Sequence, residues 1–334
     1  MAVTIKDIAR VVGVTPTTVS MVVRGDKRIS AATTEKVQKT IKEMNYRPNY
    51  IGRSLVKGRT NMIAIASGFF SNFFTVEIMR GIESKLIPTN YRVNQYATRG
   101  VREKEDEMFK EILYGARPEA LICISLKPSP ETIEEYKKEG MPIISVEESA
   151  EGISTVKTDN EKGAFAAVDY LIKKGRNKIG LVAGKIVGSL GGANADERLK
   201  GYKDALNMHG ISYNPERFME VTDYSFEEGV EAINRLFRRD AAFDAIFCAA
   251  GDMAAAGIIR RAEEKGLKVP EDLSVIGYDD MSIASIVKPA LTTVNQPIFE
   301  MGRAAIDLAM DIINKKETIK TITFQPKLVV RDSA

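Results

Sequence analysis

The stretch Val3-Thr4-Ile5-Lys6-Asp7-Ile8-Ala9-Arg10-Val11-Val12-Gly13-Val14-Thr15-Pro16-Thr17-Thr18-Val19-Ser20-Met21-Val22-Val23 carries two complete helix signals in close succession. Thr4 can accept hydrogen bonds from the first free amides of a helix, and Asp7, three residues on, completes a capping box that also suits the positive helix end. Ile5, Ile8, Ala9 and Val12 recur at helical spacing, and Gly13 ends the helix. Thr15 then offers a second N-cap. Pro16 takes the first helical position, where its missing N–H costs nothing. Val19, Val22 and Val23 share one side of this second helix, and Thr17, Thr18 and Met21 the other. Two helices joined by a short Gly-containing turn, the second opening on small polar residues, describe a helix-turn-helix. Gly25 and Asp26 close it. Ser30 caps a third helix whose Val37, Ile41 and Met44 can cover the first two, and Pro48 is expected to end it.

Charge separates this head from the rest of the chain. The 334 residues hold 48 basic and 45 acidic side chains, a net +3. Residues 1–60 hold twelve of the basic and four of the acidic ones, a net +8, which leaves −5 on the remainder. A plain three-helix bundle shares the caps and periods, but the basic excess favours a head that meets a polyanion. A DNA-binding domain is expected over 1–47. Its candidate contacts are Thr4, Thr15, Pro16, Thr17, Thr18, Ser20, Met21, Arg24 and Arg28. Thr17, Thr18 and Met21 suit thymine methyls and single hydrogen bonds rather than bidentate guanine reading.

Residues 48–60 read as a hinge. Asn49 to Gly58 offers about two turns of helix, too short to stand alone because nucleation is costly. It would fold against DNA or a second copy of itself, with Leu55 as an apolar wedge in the minor groove and Asn49 and Arg53 beside it. A flexible linker is the competing reading.

From Asn61 short apolar strands alternate with amphipathic helices. The strand candidates are Met62 to Ser67, Arg92 to Tyr96, Ala120 to Ile124, Pro142 to Val146, Ser154 to Lys157, Lys178 to Ala183, Arg217 to Val221, Ala245 to Cys248, Leu273 to Gly277 and Leu291 to Val294. This alternation predicts parallel sheets with both faces covered. So many strands imply two doubly wound lobes across a cleft, approximately 61–158 with 295–320, and 159–294 with 321–334. Ligands bind such sheets beyond the carboxyl ends of the strands. The polar and aromatic residues there are Ser67, Phe69, Phe74, Glu147, Asp159, Arg198, Tyr224, Asp252 and Asp279. Carboxylates, one guanidinium and aromatic faces suit a small polyhydroxylated or heterocyclic ligand. For Glu147 and Asp252 taken singly, a helix cap or solvated charge is the simpler role.

Other function classes are excluded by what is missing. With 2 Cys and 1 His, zinc sites, disulfide frameworks and histidine catalysis are nearly ruled out. Cys123 and Cys248 sit in apolar runs and read as buried thiols of a reducing compartment. Gly184, Gly188, Gly191 and Gly192 form no P-loop or dinucleotide fingerprint, no nucleophile elbow occurs, and His209 reads as a helix-end partner. No cofactor and no catalysis are expected. Lys6, Asp7 and Arg10 interrupt any signal-peptide core, and Asp244 and Asp252 break the longest apolar stretch, so a cytoplasmic protein with no membrane association is expected. A transport solute-binding protein would need a signal peptide and no basic head.

These residues resemble the lactose-repressor (LacI/GalR) family of bacterial transcription regulators. In the head and hinge the resemblance rests on Val3 to Ala9, Gly13-Val14-Thr15, Thr18-Val19-Ser20, Tyr46-Arg47-Pro48-Asn49 and Arg53-Ser54-Leu55. In the body it rests on Asn72 with Arg80-Gly81-Ile82, Asp159-Asn160, Arg198 with Gly201-Tyr202, Gly277-Tyr278-Asp279-Asp280, Pro289 to Val294 and Gln296-Pro297. It spans essentially the whole chain.

The resemblance implies a periplasmic-binding-protein-like body holding an effector, and a homodimer or tetramer with paired heads on a palindromic operator. The lack of a heptad extension after Val330 favours the dimer. Pro16, Thr17 and Met21 match base-contacting positions, Leu55 the intercalating one, and Arg198 and Asp279 effector-binding ones. Tyr224 lies near an aromatic stacking position. The expected function is a repressor controlled allosterically by a sugar or sugar derivative, with a purine or nucleoside corepressor as the alternative. Two departures stand out. Gly251-Asp252 replaces an Asn-Asp pair, and Gly52 in the hinge replaces a common Ala, which weakens that helix by roughly 1 kcal/mol.

Overall fold

The computed structural model describes residues 3–46, 59–98, 101, 103–185, 192–239, 242–316 and 319–334. Pro48, Asn49, Arg53 and Leu55 lie outside them, as does most of the expected hinge. The chain divides into two units, Met1–Thr60 and Asn61–Ala334.

The described residues of the first unit form three helices: α1 (Ile5–Val12), α2 (Pro16–Val23) and α3 (Ala31–Glu43). The capping box forms as expected, with Thr4 N–H donating to Asp7 Oδ2 at 3.0 Å and the Thr4 hydroxyl facing Asp7 N. Gly13 takes φ 75° at the end of α1, and Thr15 Oγ1 accepts from Thr18 N at 3.1 Å to start α2. Ile8, Ala9, Val19, Val22, Val37 and Tyr46 make the core. The third helix ends at Glu43, before Pro48 could stop it, because Asn45 turns the chain at φ 49°.

The second unit contains two six-stranded sheets. The first lobe uses β1 (Met62–Ser67), β2 (Arg92–Ala97), β3 (Ala120–Ile124), β4 (Ile143–Val146), β5 (Ser154–Thr158) and β11 (Thr321–Phe324), in the order β11-β5-β4-β3-β1-β2, all parallel. The second uses β6 (Ile179–Gly184), β7 (Phe218–Val221), β8 (Ala245–Cys248), β9 (Ser274–Asp279), β10 (Thr292–Asn295) and β12 (Lys327–Val329), in the order β12-β10-β9-β8-β6-β7. Only the last pair, β10 with β12, is antiparallel. Thus β11 belongs to the first lobe, which corrects the expected boundary at 321. The expected strands all form, and β11 and β12 are additional.

The helices that bear on function are α4 (Phe73–Leu86), α5 (Glu103–Lys110), α6 (Pro130–Lys138), α7 (Asn160–Lys173), α8 (Gly192–Met208), α9 (Phe226–Arg238), α10 (Asp252–Glu264), α11 (Ser282–Ile286) and α12 (Ile298–Ile313). They cover the sheets because their apolar faces complete the cores. Ile78 and Ile82 of α4 meet Met301 and Ala305 of α12 over the first sheet. That pair is unusually close: a Cβ on Gly302 would stand 2.2 Å from Ile78 O, and one on Gly81 2.1 Å from Phe299 O. The backbone passes between lobes three times, at Thr158–Asn160, Asn295–Ile298 and Phe324–Lys327.

Candidate functional site

In both sheets the strand order reverses beside the first strand of the lobe, between β1 and β3 and between β6 and β8. Loops diverge there and leave a crevice at the carboxyl ends. A cavity lies at these points, lined by Gly68, Phe69, Ser125 and Glu147 from the first lobe and Gly184, Tyr224, Ala249 and Asp279 from the second, with Arg198 of α8 among them. Four of these, Ser125, Glu147, Tyr224 and Asp279, hold positive φ of 52°, 79°, 61° and 104°. Such backbone is costly for side chains with a Cβ and gathers where geometry is functional.

Arg198 is buried and held on three sides. Its Nε donates to Asn160 Oδ1 at 2.8 Å, its Nη1 donates to Ala249 O at 2.7 Å, and its guanidinium lies over the Tyr278 ring. Burial opposes the Arg198 charge, but the Tyr278, Asp279, Glu147 and Tyr224 side chains around it more than offset that and raise its affinity for a proton. Asp279 Oδ1 accepts from Gln296 Nε2 at 2.6 Å, and burial lifts its carboxyl above the ordinary range, opposed by Arg198. Glu147 accepts from the Ser125 hydroxyl. Burial pushes Glu147 up to about 7, against the pull of Arg198 and Ser125. Tyr224 is pushed up to about 12 by burial, then by Glu147, and remains a neutral hydroxyl. Its ring closes over Gly184, where a Cβ would stand 2.3 Å from the Tyr224 hydroxyl. The cleft thus presents one fixed cation, two carboxyls of raised pKa, and aromatic faces from Phe69, Phe74 and Tyr224. A ligand with hydroxyls and apolar faces satisfies both kinds of wall.

Three candidates do not line this cavity, although Asp252 borders an adjoining recess that shares Phe69, Phe74, Tyr224 and Asp279 with it. Ser67 faces a neighbouring recess, and its Oγ donates to Phe69 O at 3.3 Å, shaping the loop rather than lining the cleft. Asp159 lies in the first crossing and caps α7 through Lys162 N at 3.1 Å. Asp252 is buried at the start of α10, where its Oδ1 accepts from Thr293 Oγ1 at 2.6 Å and its Oδ2 from Met281 N at 2.6 Å. Both oxygens are therefore engaged inside the second lobe. The cap position itself is Gly251, so Asp252 is a buried strut rather than a helix cap.

Sequence reasoning gave no site role to Ser125, Asn160, Asn194 or Tyr278. Ser125 follows β3 directly, so the strand-end rule could have found it. Asn160 and Tyr278 act through Arg198, which no linear spacing reveals. His209 Nε2–H donates to Asp169 Oδ1 at 2.7 Å just past α8. Cys123 and Cys248 are buried thiols whose pKa burial pushes up. Among the described residues no group of three or more His, Cys, Asp or Glu is placed to hold a metal.

On the head, Pro16, Thr17 and Arg24 are exposed and Thr18, Ser20 and Met21 partly so, forming the outward side of α2. The Thr4 and Thr15 hydroxyls are engaged as caps. Arg28 is forked onto Asp26, with Nη2–Oδ2 at 2.6 Å and Nε–Oδ1 at 3.0 Å, and this hydrogen bonding pulls Asp26 down to about 2. Arg28 therefore shapes the turn after α2.

A basic helix-turn-helix and a two-lobed ligand-binding body together define a ligand-responsive DNA-binding regulator. Residues 4–49 match the family model described as bacterial regulatory proteins, lacI family, and residues 168–334 match a periplasmic binding protein-like domain. Catabolite control protein A of Priestia megaterium is 34% identical over 329 residues, covering 98% of this chain and 97% of that protein. Among solved structures, the lac repressor dimer bound to operator and an anti-inducer aligns with TM-score 0.82 at 25% identity, covering 100% of this chain and 99% of that one. A cellobiose complex of the regulator CelR aligns with TM-score 0.73 at 29% identity, covering 99% and 100%. The chain belongs to the lacI family of bacterial regulatory proteins. It is a DNA-binding transcriptional regulator, and among its described residues no helix is long and apolar enough to cross a membrane.

Proposed function

We propose that the cleft binds a small neutral polyhydroxylated effector, a sugar or sugar derivative, and that this binding controls the operator affinity of a cytoplasmic homodimeric repressor without chemical turnover. The observation that carries the effector reading is the fixed Arg198 guanidinium, which lines one cavity with Glu147 and Asp279 at the switch points of both sheets. Hydroxyls can accept from the guanidinium and donate to the carboxylates, whereas a ligand phosphate would meet two acidic groups for one cation. The cellobiose complex of CelR supports the sugar class. The rings of Phe69, Phe74 and Tyr224 also suit a flat heterocycle, which keeps a purine as the second reading.

Effector binding shifts the balance between two arrangements of the lobes, to the extent that it binds one of them better. Exposed Phe70, just before α4, with Phe73 and Val76 in its first turn, provides an apolar face for a second copy. A thermal-shift screen of sugars and purines, followed by calorimetry, tests the effector reading. Arg198→Ala should abolish the response to any hit while leaving operator binding in a gel-shift assay. Retained effector binding by Arg198→Ala, or hits confined to phosphorylated ligands, would overturn it.

A further inference from the structure

The amide of Asn160 occupies a crowded position. It is 2% exposed, begins α7, and stands at the first crossing between the lobes. Its Oδ1 faces two donors, Arg198 Nε at 2.8 Å and the Tyr278 hydroxyl at 3.1 Å. Its Nδ2 faces acceptors: Asn194 Oδ1 at 3.0 Å, Glu197 Oε2 at 3.1 Å and Thr158 O at 3.4 Å. Turning the amide round would set its NH₂ against the guanidinium, so the network fixes its orientation. Glu197 is also ion-paired at 3.0 Å with Lys157 Nζ, on β5 of the opposite lobe. One side chain therefore connects the crossing strand, α8, β9 and, through Glu197, the first lobe.

We propose that Asn160 is the positioning residue of the effector site: its carbonyl oxygen sets the Arg198 fork over Tyr278, and its amide protons tie that fork to the Lys157–Glu197 pair across the lobes. The proposal rests on the reading of Arg198 as an effector contact. A buried guanidinium without this acceptor would turn its Nε–H toward the cavity, since a buried donor left unpaired is costly. Only a carboxamide offers an acceptor and two donors from one group. Leu has similar shape but no polar atom. Asp keeps the acceptor but turns a second oxygen toward Asn194 Oδ1 and Glu197 Oε2, replacing two attractions by repulsion.

The full ligand-free chain, labelled with ¹⁵N-arginine, tests this directly. The Arg198 Nε–H resonance is identified by its loss in Arg198→Lys, and its exchange with water is measured. Asn160→Leu should accelerate that exchange by at least about tenfold, the worth of a hydrogen bond to a charged group. Asn160→Asp, which restores only the acceptor, should remain much nearer the wild type. Should Asn160→Leu fail to fold, Asn160→Ala carries the same readout. Unchanged exchange in these variants, or equal acceleration in Asn160→Asp and Asn160→Leu, would overturn the proposal. The effector reading fails separately, through an Arg198→Lys variant that still answers a ligand found in the screen.

Discussion

The guanidinium carbon of Arg198 lies 3.8 Å from the centroid of the Tyr278 ring, and the Tyr278 hydroxyl donates to Asn160, the residue that also receives Arg198 Nε. The ring thus serves both as a platform for the cation and as a second tie to the same oxygen. Tyr278→Phe keeps the platform and removes one neutral hydrogen bond, so urea unfolding should show a loss of about 1 kcal/mol. Tyr278→Leu also removes a desolvated cation–π contact, and the loss should grow by about a further 2 kcal/mol. Equal losses in the two variants would mean that the ring face contributes nothing to holding Arg198.

Glu147 should make both stability and ligand binding depend on pH. Burial raises its carboxyl from 4.5 to about 7, with Glu148 and Asp279 adding to the rise and Arg198 and Ser125 opposing it. Between those two values the folded state holds a proton that the unfolded chain releases. Its stabilising contribution is therefore complete below pH 4.5 and is lost as pH rises through 7. Glu147→Gln removes this dependence, so the variant should gain on the wild type by on the order of 2 kcal/mol between pH 5 and pH 8, after allowance for partial solvent exposure. Effector hydroxyls donate better to the ionised carboxylate. Wild-type affinity should tighten by up to about tenfold from pH 6 to pH 8, and that of Glu147→Gln should stay flat. Calorimetry at the two pH values checks this.

Asp252 provides the contrast. Its carboxyl is pushed well above the usual range by burial and then by Asp279, and both its oxygens are taken by Thr293 and Met281. A carboxyl with raised pKa is best replaced by its neutral isostere. Asp252→Asn should leave effector affinity within about twofold, and its stability relative to wild type should improve as pH rises, because the wild type loses its proton-linked contribution there. Asp252→Ala leaves the Met281 amide and the Thr293 hydroxyl without their acceptor and should cost about 2–4 kcal/mol in urea unfolding. A large loss of effector affinity in Asp252→Asn would return this residue to the cleft.

Local signals made the head and the strands readable. Thr4 with Asp7, Thr15 with Pro16, and Gly13 act within four residues of one another, so linear spacing contains the physics, and the strands Met62–Ser67, Ala120–Ile124 and Ala245–Cys248 stand where their apolar runs stand. The strand-end rule brings Phe69, Glu147, Tyr224 and Asp279 to one cavity, and Arg198 joins them from α8. It failed where tertiary partners decide. Asp252 resembles a cleft carboxylate until Thr293, 41 positions away, takes its oxygen. Asp159 sits at a strand end that is also a crossing between lobes. The edge strand β11 was missed because Thr321–Phe324 has only alternate residues partly buried and gains its pairing from β5, far earlier in the chain.

The exposed side of α2 separates reading of bases from attraction to phosphates. Met21 and Thr17 are one helical turn apart on that side, while Arg24 stands at its end. Met21→Ala removes apolar contact with a thymine methyl, so it should weaken specific operator binding by about 1–3 kcal/mol and leave non-specific binding and the salt dependence unchanged. Arg24→Ala should weaken binding to all sequences alike and reduce the slope of log affinity against log salt by about 1. Thr15→Ala belongs to neither group. Its hydroxyl is committed to Thr18 N, so the variant should lower the melting temperature of the head through a lost cap worth about 1 kcal/mol. Fluorescence anisotropy on specific and scrambled duplexes across a salt series distinguishes the three. A change of salt slope in Met21→Ala would show that this side chain governs phosphate contact through the orientation of α2 rather than touching a base.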